Sequence, residues 1–448
     1  MKSDYIKSDY KIPAGEGQNT LPAPPAPETG TGYLELLRNN PNFRLFWSAQ
    51  LVSAAGDWFN NVALLGLVLQ LTASGFASGM VLLTTSLPYF LLIPITGPIV
   101  DRFSRKWVML LANLAGAVLA LSFLLVRDSS LLWLLFAGNI LLVSSAAFFN
   151  PASSAIVPNI VSRRELYAAN ALSGATWGIM VMVGSGLGGL VSVVFGRDIV
   201  FILNSLTFLL ATFLIWRIKV PAKPVETSDP LEKTSSAGFS TWGNFKAGLA
   251  YLGHHHRVIS LVSLKSGWNA AGGVLVLLSV FGDQIFHAGD GGIGLLYAGR
   301  GLGALLGPFL IRPLAGSDPA RMRGVVVLGY VCQAVGYSIF AGSVAVGLWL
   351  AFFALIFAHL GGGINWTASA LLLQEVVPDH YRGRVFAIDL GFSSLALAAS
   401  TLLWSVALEI KIAPVWLALA GAVVWLVFGL GWGAWTRRMS LQPEPETA

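Results

Sequence analysis

The chain has 448 residues, of which 55% are apolar and 11% charged, and its mean hydropathy is +0.69. A soluble domain carries about 25% charged residues, so this chain cannot cover a globular surface with polar groups and takes the lipid bilayer as its solvent. The net charge of +6 sits in short segments between apolar runs, a placement that argues against nucleic acid as the partner.

Residues 1–40 contain no apolar core segment, so no cleavable signal peptide is expected; this tail, rich in Pro, Gly and polar residues over its first part, reads as disordered. Twelve apolar stretches follow, centred near Ala55, Pro88, Ala117, Val143, Gly184, Leu206, Asn269, Gly301, Gln333, Gly361, Leu395 and Val424. Each approaches the roughly 20 residues that a spanning helix needs. Backbone groups in lipid must be satisfied within the segment, so the stretches are helices, and the alternation of a membrane barrel is absent. The first six occupy residues 41–217 and the second six residues 257–437, giving an all-α membrane protein of two six-helix bundles. Between them, 218–256 reads as a linker that ends in an amphipathic helix carrying Phe245, Leu249 and Leu252. His254, His255 and His256 follow as a solvated cluster, because adjacent histidines on a helix point apart, and 438–448 is a second tail. Cys332 is the only cysteine, which excludes an internal disulfide and a Cys-based metal cluster; no metal or cofactor is expected.

Basic residues fix the expected orientation. With both termini placed in the cytoplasm, only Arg127, Arg197 and Lys411 fall outside, and Lys265 and Arg300 fall within spans. Every other Lys and Arg lies on the cytoplasmic side, as the positive-inside rule requires. A multi-pass protein of the cell (inner) membrane, acting as a monomer, is the expectation. The two halves also align with each other: an offset of 210 brings Trp58 onto Trp268, Gly97-Pro98 onto Gly307-Pro308 and Arg102 onto Arg312.

Ionisable residues inside spans are costly, about 2.5–3.5 kcal/mol each on insertion scales, so they are functional by default. Asp57 lies twelve residues beyond Leu45, which places it ~18 Å deep and near the midplane. A carboxylate withdrawn from water can exchange a proton in the physiological range, which makes Asp57 the candidate for proton coupling; a static tether between helices is the alternative. Arg300, between Gly299 and Gly301, cannot deprotonate and needs an acidic partner or an anionic substrate group. Lys265 either joins the cavity or snorkels to the cytoplasmic rim. Asp283, Asp389 and Glu375 read as rim or gate residues. Trp58, Asn61, Asn139, Asn150, Trp268, Asn269, Asn365 and Trp366 supply a mixed aromatic and amide lining that suits a bulky amphipathic compound.

The loop Gly97-Pro98-Ile99-Val100-Asp101-Arg102-Phe103-Ser104-Arg105-Lys106 is wedged between two spans. Its pattern G-x-x-x-D-R-x-x-R-K resembles the loop 2–3 signature of the major facilitator superfamily. That resemblance implies two bundles related by an axis along the membrane normal, and a cytoplasmic gate formed by Gly97, Asp101, Arg102, Arg105 and Lys106. Asp101 would face a helix N-terminus, while Arg105 and Lys106 would pair with acidic groups. On span 5, Gly184-Ser185-Gly186-Leu187-Gly188-Gly189 looks like the antiporter signature G-P-x-x-G-G, with Ser185 standing where the Pro should be; dense small residues also permit close helix crossing. The runs Asn42-Phe43-Arg44-Leu45-Phe46-Trp47, Gly56-Asp57, Asn150-Pro151-Ala152 and Ala168-Ala169-Asn170-Ala171-Leu172 are together similar to the third drug:proton antiporter family, which includes macrolide, tetracycline and enterobactin-type siderophore exporters. Proton-driven export of a drug or siderophore by alternating access is what this implies. An importer or a lysophospholipid flippase of the same fold is the rival. A membrane enzyme is disfavoured by the scattered acids of the outer loops, and ATP-driven transport by the lack of a G-x-x-x-x-G-K-[ST] phosphate loop.

Overall fold

The computed structural model describes residues 32–219 apart from 163, 241–437 apart from 317, and 439. Among these, twelve helices are long and apolar enough to cross a membrane: α1 (Pro41–Thr72), α2 (Gly75–Arg102), α3 (Arg105–Leu125), α4 (Ser129–Ile160), α5 (Ala168–Phe195), α6 (Arg197–Arg217), α7 (His256–Ile285), α8 (Gly289–Ala315), α9 (Arg321–Ala345), α10 (Leu348–Val376), α11 (Arg384–Glu409) and α12 (Pro414–Thr436). All twelve sequence-derived centres fall inside them. The expected tails 1–31 and 440–448, and linker residues 220–240, lie outside the described residues.

Local chemistry sets the boundaries. Asn40 caps α1 by accepting from Phe43 N at 2.9 Å, with Pro41 at the first helical position, where its missing N–H costs nothing. Ser74 caps α2 in the same way, accepting from Ala77 N at 3.2 Å. Only Gly196 separates α5 from α6, and its φ of +82° is open to glycine at no steric cost. In the short α3–α4 connection, the side-chain and backbone donors of Ser130 bond Asp128 and hold its carboxyl below the usual carboxylate range.

Two spans are not the continuous helices their apolar runs suggest: α8 passes through a 3-10 segment over Gly307–Leu310, and α7 is broken more extensively. α7 stops at Ala270, passes through a 3-10 turn over Gly272–Val274, resumes, and ends in a π-helical turn over Phe281–Ile285. Gly272-Gly273 sits where α7 presses on α11: a Cβ on Gly272 would come within 2.6 Å of Leu397, and Ser400 Oγ receives the Gly273 N–H at 3.0 Å. Close backbone approach, not a change in hydrophobicity, breaks the helix.

α1–α6 pack as one bundle and α7–α12 as the other, with α5 crossing α8 and α2 crossing α11 between them. An even number of spans puts both ends of the chain on one face, here the termini face. Bundle-to-bundle ties gather on the opposite face: Gln284 Nε2 donates to Ala73 O at 3.0 Å and Ser74 Oγ to Glu409 at 3.3 Å. The run Asn42–Trp47 is structural. Phe43 and Phe46 are fully buried, Trp47 Nε1 donates to Thr176 at 3.0 Å, and Asn42 exchanges hydrogen bonds with the backbone of Lys219. The expected linker helix is present as Thr241–His254. Leu252 is buried, Leu249 is exposed, and the Phe245 side chain lies outside the described residues. Tyr251 stacks on His255 and on Tyr381 of the helix that leads into α11, with centroids 4.0 and 4.3 Å away.

Candidate functional site

A cavity of about 410 Å³ opens among the first six helices. Residues from α1 (Gln50, Ser53, Asp57, Asn60, Asn61), α2 (Thr85, Tyr89), α3 (Asn113, Gly116), α4 (Asn139, Asn150), α5 (Ser173, Thr176, Trp177) and α6 (Phe208) line it. The α1 residues recur at helical spacing and so share one face. Gly56 explains why that face turns inward: a Cβ there would lie 2.5 Å from Asn204 Oδ1, so its absence lets α1 press on α6. From Asn61 and Asn139 at mid-depth, the lining extends to Gln50 and Asn150 nearer the termini face.

Asp57 is open to this cavity and forms no hydrogen bond or ion pair among the described residues. The tether alternative is therefore not what the geometry shows. Around it, Asn139 Nδ2 donates to Thr84 at 2.9 Å and Thr85 at 3.2 Å, and Asn150 Nδ2 donates to the Tyr89 hydroxyl at 3.3 Å. Other amides are unpartnered: the side-chain oxygens of Asn60 and Asn61, and the nitrogen of Asn113. Sequence reasoning misses Asn60 and Asn113. Asn60 stands one turn beyond Asp57, and Asn113 is a lone amide in mid-span; both signals are present in the chain. Buried amides without partners are expensive, so the arrangement suits a ligand that brings donors and acceptors.

Arg300 of α8 packs behind the cavity wall, against two of its lining rings, Trp58 and Trp177. Its guanidinium carbon lies 6.0 Å from the Trp58 ring, 5.7 Å from Trp177 and 5.8 Å from Tyr297. Trp58 itself packs on Tyr297 with centroids 6.0 Å apart, so the seam between the bundles runs through this cluster.

The other predicted residues of the second bundle separate. Lys265 and Asp389 form a buried ion pair between α7 and α11, with side chains 3% and 0% exposed. This corrects two expectations: Lys265 does not snorkel, and Asp389 is a core residue, not a rim one, because each charge neutralises the other away from water. Trp366 and Phe386 cover the ammonium, with centroids 5.0 and 5.6 Å away, and Trp268 meets Trp366 edge-on at 5.6 Å. Asn269 ties α7 to α11 through Ser393 Oγ at 2.7 Å. Asn365 does not face a cavity: at 1% exposure it packs against α9, its amide within bonding distance of Val326 O, Tyr330 N and Gln333. Helix-to-helix satisfaction, invisible in a linear sequence, takes up both amides.

In the gate loop, Arg105 Nη1 donates to Ala155 O at 2.7 Å, and Lys106 Nζ to Trp216 O at 2.8 Å and Ile218 O at 2.7 Å. Among the described residues the partners found for Arg105 and Lys106 are carbonyls, two of them at the C-terminal end of α6, where they lack intrahelical donors. Arg102 is exposed, and the surroundings of Gly97 and of the Asp101 side chain lie outside what is described. On α5, a Cβ on Gly184 would sit 2.8 Å from Trp58 Cβ, one on Gly188 2.7 Å from Phe59 Cα, and one on Gly189 2.6 Å from Asp290 O. The run lets α5 cross both α1 and α8 closely; Ser185 is buried, its hydroxyl bonding Val181 O.

One cluster has no counterpart among the sequence-derived candidates. On the face opposite the termini, Arg197 holds Asp290 bidentately, Nε to Oδ2 at 2.7 Å and Nη2 to Oδ1 at 2.8 Å. Ser192 also bonds Asp290, and Gln70 accepts from Arg197. In the linear chain the two charged residues look like scattered loop charges, because 93 positions separate them.

A family model described as Major Facilitator Superfamily matches residues 46–401, and the chain belongs to that superfamily. It is a multi-pass membrane transporter, not an enzyme. Among curated proteins, it is 26% identical over 400 residues to the putative bacilysin exporter BacE of Bacillus subtilis (strain 168), covering 87% of this chain and 93% of that protein. It is 27% identical over 372 residues to the class C tetracycline resistance protein of Escherichia coli, covering 81% and 88%. Macrolide efflux protein A of Streptococcus pyogenes is 24% identical over 399 residues, covering 85% and 93%. Among solved structures, the nucleoside transporter NupG superposes with a TM-score of 0.71 at 12% identity, covering 88% of this chain and 99% of that one, a likeness of fold alone.

Proposed function

We propose that the chain is a proton-coupled exporter of a bulky amphipathic small molecule, working by alternating access. The observation that carries this reading is Asp57: a carboxylate at mid-depth, open to a polar cavity and without a protein partner among the described residues. Such a group is free to exchange a proton with the chamber, and neutralising it removes a charge that would otherwise resist crossing the bilayer core. The relatives named as a putative bacilysin exporter and a macrolide efflux protein support the direction, and these with the tetracycline resistance protein support the class of cargo. With the termini in the cytoplasm, as the basic loops favour, the ties around Asp290 close the outer side and the cavity faces inward.

The test is uptake of a compound panel into everted membrane vesicles under an imposed pH gradient. Wild-type protein is expected to accumulate at least one amphipathic compound and to lose this on collapse of the gradient. Asp57→Asn is expected to abolish gradient-driven accumulation. Undiminished gradient-driven uptake by that variant refutes Asp57 as the coupling group.

A further inference from the structure

Arg300 is a buried cation with no counter-charge. Its side chain is 7% exposed, its Nε has no hydrogen-bond partner, and no carboxylate pairs with it among the described residues. The other deep cation and acid of this bundle, Lys265 and Asp389, neutralise each other. Three rings surround the guanidinium. Cation–π contact offsets part of the desolvation, but a ring face carries no lone pair for the in-plane N–H donors of the fork. A planar guanidinium in this state matches an oxyanion held bidentately. Two of the rings, Trp58 and Trp177, line the cavity, so they stand between the guanidinium and its space.

We propose that Arg300 is the anion subsite of the cavity, taking the carboxylate or phosphate of an amphipathic ligand whose apolar body lies on Trp58 and Trp177. This rests on the reading of the cavity as a substrate chamber. Asp57 and the free amides of Asn60, Asn61 and Asn113 are left for the remainder of the ligand, so a compound carrying both an oxyanion and a cationic or hydrogen-bonding group fits best. The subsite straddles the two bundles, since Arg300 belongs to α8 and its ring partners Trp58 and Trp177 to α1 and α5. Occupancy would therefore be sensed by both halves.

The experiment uses tetramethylrhodamine and its ethyl ester, which share a cationic ring system and differ only in whether the carboxylate is free. Binding is read in nanodiscs as energy transfer from tryptophan to dye. Wild-type protein is expected to prefer the free acid by about tenfold or more, the scale of a hydrogen bond to a charged group. Arg300→Gln should abolish that ratio, and Arg300→Lys should lower it, because an ammonium keeps the charge but loses the fork. If Arg300→Gln is not monodisperse, the ratio is read in Arg300→Lys alone. Competition by lysophosphatidic acid against the matching monoacylglycerol separates the two oxyanions: displacement that depends on Arg300 assigns the site to phosphate as well as carboxylate. An acid-to-ester ratio unchanged by either substitution, or the absence of binding by the acid dye, overturns the subsite. Gradient-driven uptake in everted vesicles is scored separately. Arg300-dependent preference without transport keeps the subsite and sinks the exporter reading, whereas transport without that preference does the reverse.

Discussion

Replacing Asp290 by Asn isolates what holds the far face shut. The substitution keeps the shape of the side chain, which matters because the Asp290 carboxylate packs directly on Gly66, where an added Cβ would clash with it. It removes the charge that Arg197 grips at 2.7 and 2.8 Å. Hydrogen bonds to charged groups contribute about 1.5–3 kcal/mol net, and breaking a fully buried pair costs about 3–5 kcal/mol. Here the arginine side chain is 20% exposed and the aspartate 6%, so solvent screens part of the effect and about 2 kcal/mol is the appropriate scale. Because the contact joins α6 to α8 across the bundle seam, all of that energy favours the closed far face. Its loss should raise the open-to-closed ratio roughly 30-fold. Spin labels at Ser130→Cys and Val346→Cys, both exposed and on opposite bundles of that face, would report the distance in a Cys332→Ser background. A long-distance population should grow in Asp290→Asn and in Arg197→Gln, and the double variant should add little to either. Distance distributions unchanged in all three, with fold intact, would refute the assignment of this cluster as a latch.

Lys265→Met should cost about 3–5 kcal/mol in an unfolding titration, because it strands Asp389 in the core, while the pair Lys265→Met with Asp389→Leu should recover most of that loss; equal costs for single and double variants would show that the charges do not compensate each other. Gly189→Val adds a Cβ facing Asp290 O at 2.6 Å, and this overpacking of about 1–3 kcal/mol should push α5 from α8 and lengthen the same spin-label distance. Lys106→Met removes two bonds to the end of α6 and should lower stability by about 1 kcal/mol, read as a shift in the unfolding midpoint. No shift would place the loop lysine among residues that matter for orientation alone.

Twelve spans, their helical form and a chamber candidate at Asp57 are legible in the linear sequence, for a direct reason. Lipid imposes a minimum length on each apolar run and satisfies no backbone group, so hydropathy alone writes the helices. The cost of an ionisable side chain at mid-depth likewise marks Asp57, Lys265 and Arg300 by their position along the chain. What those three do is decided only by tertiary contacts. Lys265 meets Asp389 from 124 positions away, whereas Asp57 and Arg300 meet no counter-charge among the described residues, and nothing in the spacing along the chain separates the paired from the unpaired. Asn365 and Asn139 look alike in sequence, yet one is consumed by packing on α9 and the other lines the cavity. The break in α7 and the grip of Arg197 on Asp290 depend on how closely two backbones approach and on which helices face each other across the bundle seam, and these quantities exist only once the helices are packed.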